Sequence, residues 1–177
     1  MRRLETKDFI IKAIDEITYL TEMWKHSVNI VFNIEIDEDE GNEEVYMNKL
    51  TQVIEENLPE IQERLEWIEA NQDKLIECLL SEGNVLTTVR NYMGNHHKQE
   101  YIQMENGVRL KLPISLEDFL AYVLHCDEIG FGISATDDEV KMEISMFFTA
   151  RENLLGGHMW EIVVSGNNEI RSLGCCQ

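Results

Sequence analysis

The stretch from Val140 to Gly174 constrains this chain more than any other. Between Val140 and Thr149 the residues alternate: Val140, Met142, Ile144, Met146 and Phe148 fall on one face, Lys141 and Glu143 on the other. A period of two with one apolar side marks a strand whose one face must be buried. A polar loop and the corner Leu154-Leu155-Gly156-Gly157-His158 follow. Beyond it come a strand from His158 to Ser165, a Gly166-Asn167-Asn168 turn and a last strand from Ile170 to Gly174. Paired glycines let a backbone turn tightly or approach a neighbour closely, so at least one of Gly156 and Gly157 is expected at positive φ or against an adjoining strand. With His158 and Trp160 they form the structural motif of this half of the chain.

The other end is also strand-like. Phe9 to Ile14 reads as a first strand, and Thr18 to Trp24 with Val28 to Ile36 reads as a hairpin about Lys25-His26-Ser27. Val28, Ile30, Phe32, Ile34 and Ile36 share one face of the second arm. From Asn42 to about Leu80 the period becomes helical, with apolar stripes at Val45, Leu50, Val53, Ile54 and Leu58 and then at Ile61, Leu65, Ile68, Leu75, Ile76 and Leu79. Pro59 is expected to open a new helix, because proline suits a first turn and not an interior.

Ser81 to Asn84 supplies a stop, and a short helix over Val85 to Met93 follows. His96 to Gly107 is polar and reads as a loop, with a short edge strand from Val108 to Leu112 before Pro113. Ser115-x-x-Asp118 caps a helix running to Leu124, and Glu128 to Ala135 is a further strand, with Asp137 to Glu139 as the next turn. Strands at both ends around a helical middle give one α+β domain over 1–177. Its mostly antiparallel sheet comes from the N-terminal hairpin and the C-terminal meander, and the middle helices cover it.

The corner Leu154 to His158 and the alternating strand after it resemble a bacterial domain-of-unknown-function family. Members of that family end in a strand, a polar loop, a G-H corner, an I-x-V strand and a final leucine–glycine. The matching elements are Ile144 to Phe148, Arg151 to Asn153, Leu155 to His158, Ile162 to Val164 and Leu173-Gly174. The chain departs from the family at Arg151-Glu152-Asn153, where aspartate and glycine are common. The resemblance implies a cytoplasmic bacterial protein and carries over no catalytic residue.

Charge narrows the function. Thirty-four acidic against fifteen basic side chains give a formal net charge of −19. Nucleic-acid affinity comes from neutralising phosphates with clustered Lys and Arg, and no such cluster is present. An acidic surface suits a basic protein partner and speeds its association. No apolar run approaches the roughly 20 residues of a membrane span, and Met1 to Asp8 has a basic start without an apolar core behind it, so no secretory signal is expected. At this length a chain buries about 70% of its extended surface, so neither metal nor disulfide is required. Cys78 falls on a helical apolar face and Cys126 at a helix end. The adjacent Cys175 and Cys176 read as reduced thiols.

His158 is the sharpest candidate for chemistry, either as a general base or metal ligand at a sheet end or as a corner residue bonded to nearby backbone. His96 and His97 lie in the polar loop, and His125 precedes Cys126 where the helix dipole would stabilise it; none has metal-ligand spacing. Glu143 and Glu161 lie on polar strand faces, where Lys141 or Arg171 can oppose them. Glu35 to Glu44 fails as a calcium loop, since Gly41 at position six puts Ile36 where a carboxylate is required. No P-loop, dinucleotide or G-x-S-x-G signature occurs, and no cofactor is expected. The leading expectation is a non-enzymatic, immunity- or regulator-like binding protein. The alternative is a small hydrolase or metal-dependent enzyme centred on His158 and neighbouring carboxylates.

Overall fold

A computed structural model describes residues 3–13, 16–24, 26–36, 43–81, 84–96, 99–135, 140–151, 154 and 158–176. The strands are β1 (Ile10–Ala13), β2 (Glu16–Met23), β3 (His26–Ile36), β4 (Tyr101–Gln103), β5 (Arg109–Lys111), β6 (Leu124–Ala135), β7 (Val140–Ala150), β8 (Met159–Val164) and β9 (Ile170–Cys176). The helices are α1 (Glu43–Ala70), α2 (Gln72–Ser81), α3 (Val85–His96) and the single turn α4 (Leu116–Asp118). Seven strands form one sheet in the order β1-β2-β3-β6-β7-β8-β9, and β4 pairs with β5 apart from it. Every neighbouring pair is antiparallel except β3 and β6, which run parallel. The expected α+β architecture is therefore present, with the two ends of the chain joined along β3 and β6.

The alternating residues build the core as their period requires. Val28, Ile30 and Phe32 on β3 are buried, as are Ile129, Phe131 and Ile133 on β6, Met142, Ile144, Met146 and Phe148 on β7, and Trp160, Ile162 and Val164 on β8. Lys141 and Glu143 are exposed, which fixes the register of β7 as its pattern demands. Phe32 lies opposite Phe131, and their rings stack 5.3 Å apart, with Phe9 edge-on to Phe32 at 5.1 Å. α1 lies against β3, and α2 against β8 and β9, with Leu50, Ile54, Ile61, Leu65, Ile68, Leu75 and Leu79 buried.

Pro59 does not begin a helix. α1 runs through it, although an interior proline costs about 3 kcal/mol. The burial of Ile54, Ile61, Leu65 and Ile68 in one stripe offsets that cost. The break comes at Asn71. Its side chain donates to the Trp67 carbonyl at 2.8 Å, and its own carbonyl accepts from Leu75 at 3.2 Å, which starts α2. An asparagine that bonds nearby backbone competes with the helix ladder.

Three further expectations are corrected. The hairpin turn is tighter than Lys25-His26-Ser27: Met23 pairs with His26, and Trp24 takes φ 52°. The polar loop from His96 to Gly107 contains β4. The helical segment expected to reach Leu124 is present from Leu116 to Val123, but after α4 it continues as a π-helical turn over Phe119–Val123 closed by the Leu124 N–H on the Phe119 carbonyl. Its capping serine is as expected, with Ser115 Oγ accepting from the Asp118 N–H at 3.0 Å. The chain then enters β6 immediately, so His125 and Cys126 are strand residues and not a helix end; Phe119, Val123 and Leu124 are buried, whereas Leu116 and Leu120 are exposed. No helix among the described residues is long and apolar enough to cross a membrane.

Candidate functional site

His158 immediately precedes β8 and is half-buried. Its Nδ1 is enclosed without a hydrogen-bond partner, so the ring is not anchored there by backbone as a plain corner residue would be. None of the cavities described below is lined by His158. Gly156 and Gly157 lie outside the described residues, as do His97, the acidic connector 37–42 and the turn 136–139. The terminal Leu173-Gly174 has a clear role. Between Glu161 and Ile162 the β8–β9 register shifts by one residue, and Gly174 at φ 86° accommodates the bulge. Glu161 is opposed by neither Lys141 nor Arg171. Arg171 pairs with Val163, and Glu161 accepts from Ser145 Oγ at 2.8 Å.

A cavity lined by polar side chains lies where β3 and β6 begin, at the same end of the strands as His158, and was not anticipated. Because β3 and β6 are parallel, their first residues lie side by side, which places His26 near His125. β7 runs back along β6 with Ala150 opposite Leu124, so Arg151 emerges at the same corner. The β4–β5 turn adds Glu105 and Asn106; Gly107 at φ 84° and the Val108 N–H on Asn106 Oδ1 at 3.0 Å shape that turn. With Ser27 these residues line a cleft of about 480 Å³. A second cavity of about 500 Å³ adjoins it, shares His26 and His125, and has Trp24, Ile76, Leu120, Leu124 and Phe148 among its walls. Trp24 stacks on Phe148 with ring centroids 6.2 Å apart, and its Nε1 donates to the Glu69 carbonyl at 3.3 Å.

The electrostatics of this corner follow from Arg151. Its guanidinium lies 2.8 Å from His26 Nδ1. A guanidinium only donates, so Nδ1 carries the lone pair and the His26 ring is neutral with its proton on Nε2. Burial first and the Arg151 charge second hold His26 below the ordinary histidine value. The same two causes, in the same order, lower His125, against weaker opposing effects of the Val123 backbone and Asp127. Nδ1 of His125 is enclosed and lacks a well-formed hydrogen bond, and its Nε2 is 3.9 Å from Asp127 Oδ1. Burial pushes the neighbouring Cys126 thiol far above its usual range, which removes it as a nucleophile.

A larger cavity, about 700 Å³, lies towards the opposite ends of β3 and β6, where Glu35, Glu60, Glu143, Arg64 and Lys141 are among the lining residues. Arg64 is already committed to the fold: it donates to Asn168 Oδ1 at 2.6 Å and to the Gly166 carbonyl. Among the described residues no group of three His, Cys, Asp or Glu side chains is arranged to hold a metal.

No sequence signal marks the His26–His125–Arg151 corner, since its members are far apart in the chain and only the parallel pairing unites them. Comparison with protein families, with curated proteins and with solved structures returns no match for this chain.

Proposed function

We propose that this chain is a non-enzymatic interaction protein, of immunity or regulator type in a bacterial cytoplasm, that offers an acidic surface to a basic protein partner. The observation that carries this reading is the solvent face of α1. Glu55, Glu56, Glu60, Glu63, Glu66 and Glu69 are all exposed there, over roughly 21 Å at 1.5 Å per residue. Of the basic side chains, Arg64 lies 3.5 Å from Glu60 on this helix, and several arginines make contacts elsewhere. Arg64 is turned onto the β8–β9 turn, Arg90 donates to the Ile114 carbonyl at 2.8 Å, Arg109 lies 4.1 Å over the Tyr101 ring and Arg151 meets His26. The net charge of −19 sets the sign of the outward field. Such a field repels phosphate backbones and accelerates encounter with a cationic surface.

The alternative, a hydrolase or metal-dependent enzyme at His158, has less support, because no described cavity joins that ring to carboxylates. Replacing Glu56, Glu63 and Glu66 together by glutamine tests the leading reading. These side chains are exposed, so the fold should be unaffected while capture of the partner weakens. Equal capture by the variant would count against it.

A further inference from the structure

We propose that the corner between β3 and β6 binds a small amphipathic monocarboxylate, with its anionic head at Arg151 and its apolar body against Trp24 and Phe148. Arg151 is the first ground. In a chain with 34 acidic side chains, its one hydrogen-bond partner among the described residues is the neutral imidazole of His26. A guanidinium has five N–H donors in a planar fork matched to a carboxylate, and the contact with His26 engages one of them.

The rest of the lining is mainly donors. Arg151 fixes the His26 proton on Nε2, and Asn106 spends its oxygen on the Val108 N–H, leaving its amide N–H groups for a ligand. Ser27 adds a hydroxyl, and Glu105 is the single carboxylate lining this cleft among the described residues. Asp127 lies near the His125 ring, and Asp73 with Gln72 lines the adjoining cavity.

The charge count selects the head group. Among the described residues Arg151 is the one permanent positive charge in this lining and Glu105 shares it, so a phosphate dianion is disfavoured more strongly than a monocarboxylate in a protein of charge −19. The body follows from the adjoining cavity, whose size lies within the range of small-molecule sites. Its wall includes Trp24, held at φ 52° in a two-residue turn that ordinarily takes glycine or asparagine. Leu120, 38% exposed, lies at the same cavity and leaves an apolar contact open to a ligand.

Phenylacetate is a suitable probe, titrated into the intact chain and followed by NMR at the Arg151 side chain, the Trp24 indole and the histidine rings, with phenylacetamide and inorganic phosphate as comparisons. Saturable shifts with phenylacetate are expected, with binding at least about tenfold weaker for phenylacetamide and for Arg151→Gln, a change of about 1.4 kcal/mol. Leu120→Asp, at an exposed position that leaves the fold intact, should weaken binding similarly by opposing the ligand body. The proposal is overturned if phenylacetate gives no saturable shift, if phenylacetamide or phosphate binds equally well, or if a folded Arg151→Gln or Leu120→Asp binds as the wild type does.

Discussion

Arg64, in the middle of α1, and Asn168, in the β8–β9 turn, meet at 2.6 Å between Nη1 and Oδ1 across 104 residues of chain. The same guanidinium donates to the Gly166 carbonyl, and the Arg64 side chain is 14% exposed. This contact ties the longest helix to the C-terminal meander. Arg64→Ala should lower the unfolding free energy by about 1.5–3 kcal/mol, the range for hydrogen bonds from a charged donor. Glu60→Gln, whose carboxylate is 3.5 Å from Arg64 and half exposed, should cost less than about 0.5 kcal/mol. Urea denaturation of both variants decides; equal losses would show that Arg64 contributes only through the surface ion pair.

Two glycine substitutions should act with opposite signs. Gly174 sits at φ 86° in the β9 bulge, where a Cβ is strained whatever space surrounds it. Gly174→Ala should destabilise by about 1 kcal/mol. Gly94 lies within α3 with nothing near its missing Cβ, so Gly94→Ala should stabilise by about 0.5–1 kcal/mol. Thermal melts of the two variants that shift in the same direction would contradict this assignment.

The sheet was legible in the sequence because its strands bury one face each. The alternation in β3 and β7 specified the strands and the face each buries without knowledge of partners. Pro59 misled because local preference was weighed without the continuous apolar stripe on either side of it, and Asn71 gave no stronger signal than any other polar residue. The helix from Leu116 was legible, but the strand entry at Leu124 was not, because apolar residues at helical spacing run straight into β6. The His26–His125–Arg151 corner was invisible for a different reason. Its geometry depends on the parallel β3–β6 pairing, which is closed only after the whole helical middle of the chain has been crossed.

His26 and His125 predict a pH dependence of stability. Both are held below the ordinary histidine value of 6.5, by burial first and Arg151 second. Their neutral rings in the folded chain would take up protons in the unfolded chain at a higher pH. Their contribution is therefore complete above about pH 6.5 and is lost as pH falls from there through the lower folded values. Asparagine at position 26 keeps an acceptor for Arg151. The double variant His26→Asn and His125→Asn should lose less stability than the wild type across that window in parallel urea titrations. Superimposable profiles would mean that these rings do not titrate differently on folding.

Thiol reactivity provides an independent check on the sheet. Cys126 is buried, and burial, followed by the Asp127 charge, raises its pKa strongly, whereas Cys175 is exposed on β9. Alkylation of the native protein at mildly alkaline pH, mapped by peptide mass, should modify Cys175 and spare Cys126 until denaturant is added. Rapid modification of Cys126 in the native chain would place it outside the core.

The central claim, that the carboxylate surplus recognises a basic partner, is tested most directly by the salt dependence of binding. The partner captured from a bacterial lysate at low salt would be titrated against the wild type and the Glu56→Gln, Glu63→Gln, Glu66→Gln variant at low and high salt. Steered binding between exposed opposite charges weakens as screening rises. The wild type should lose affinity steeply with salt, and the variant should bind more weakly at low salt with a shallower slope. A partner held equally at both salts, equal slopes for the two proteins, or no partner at either salt would contradict the account.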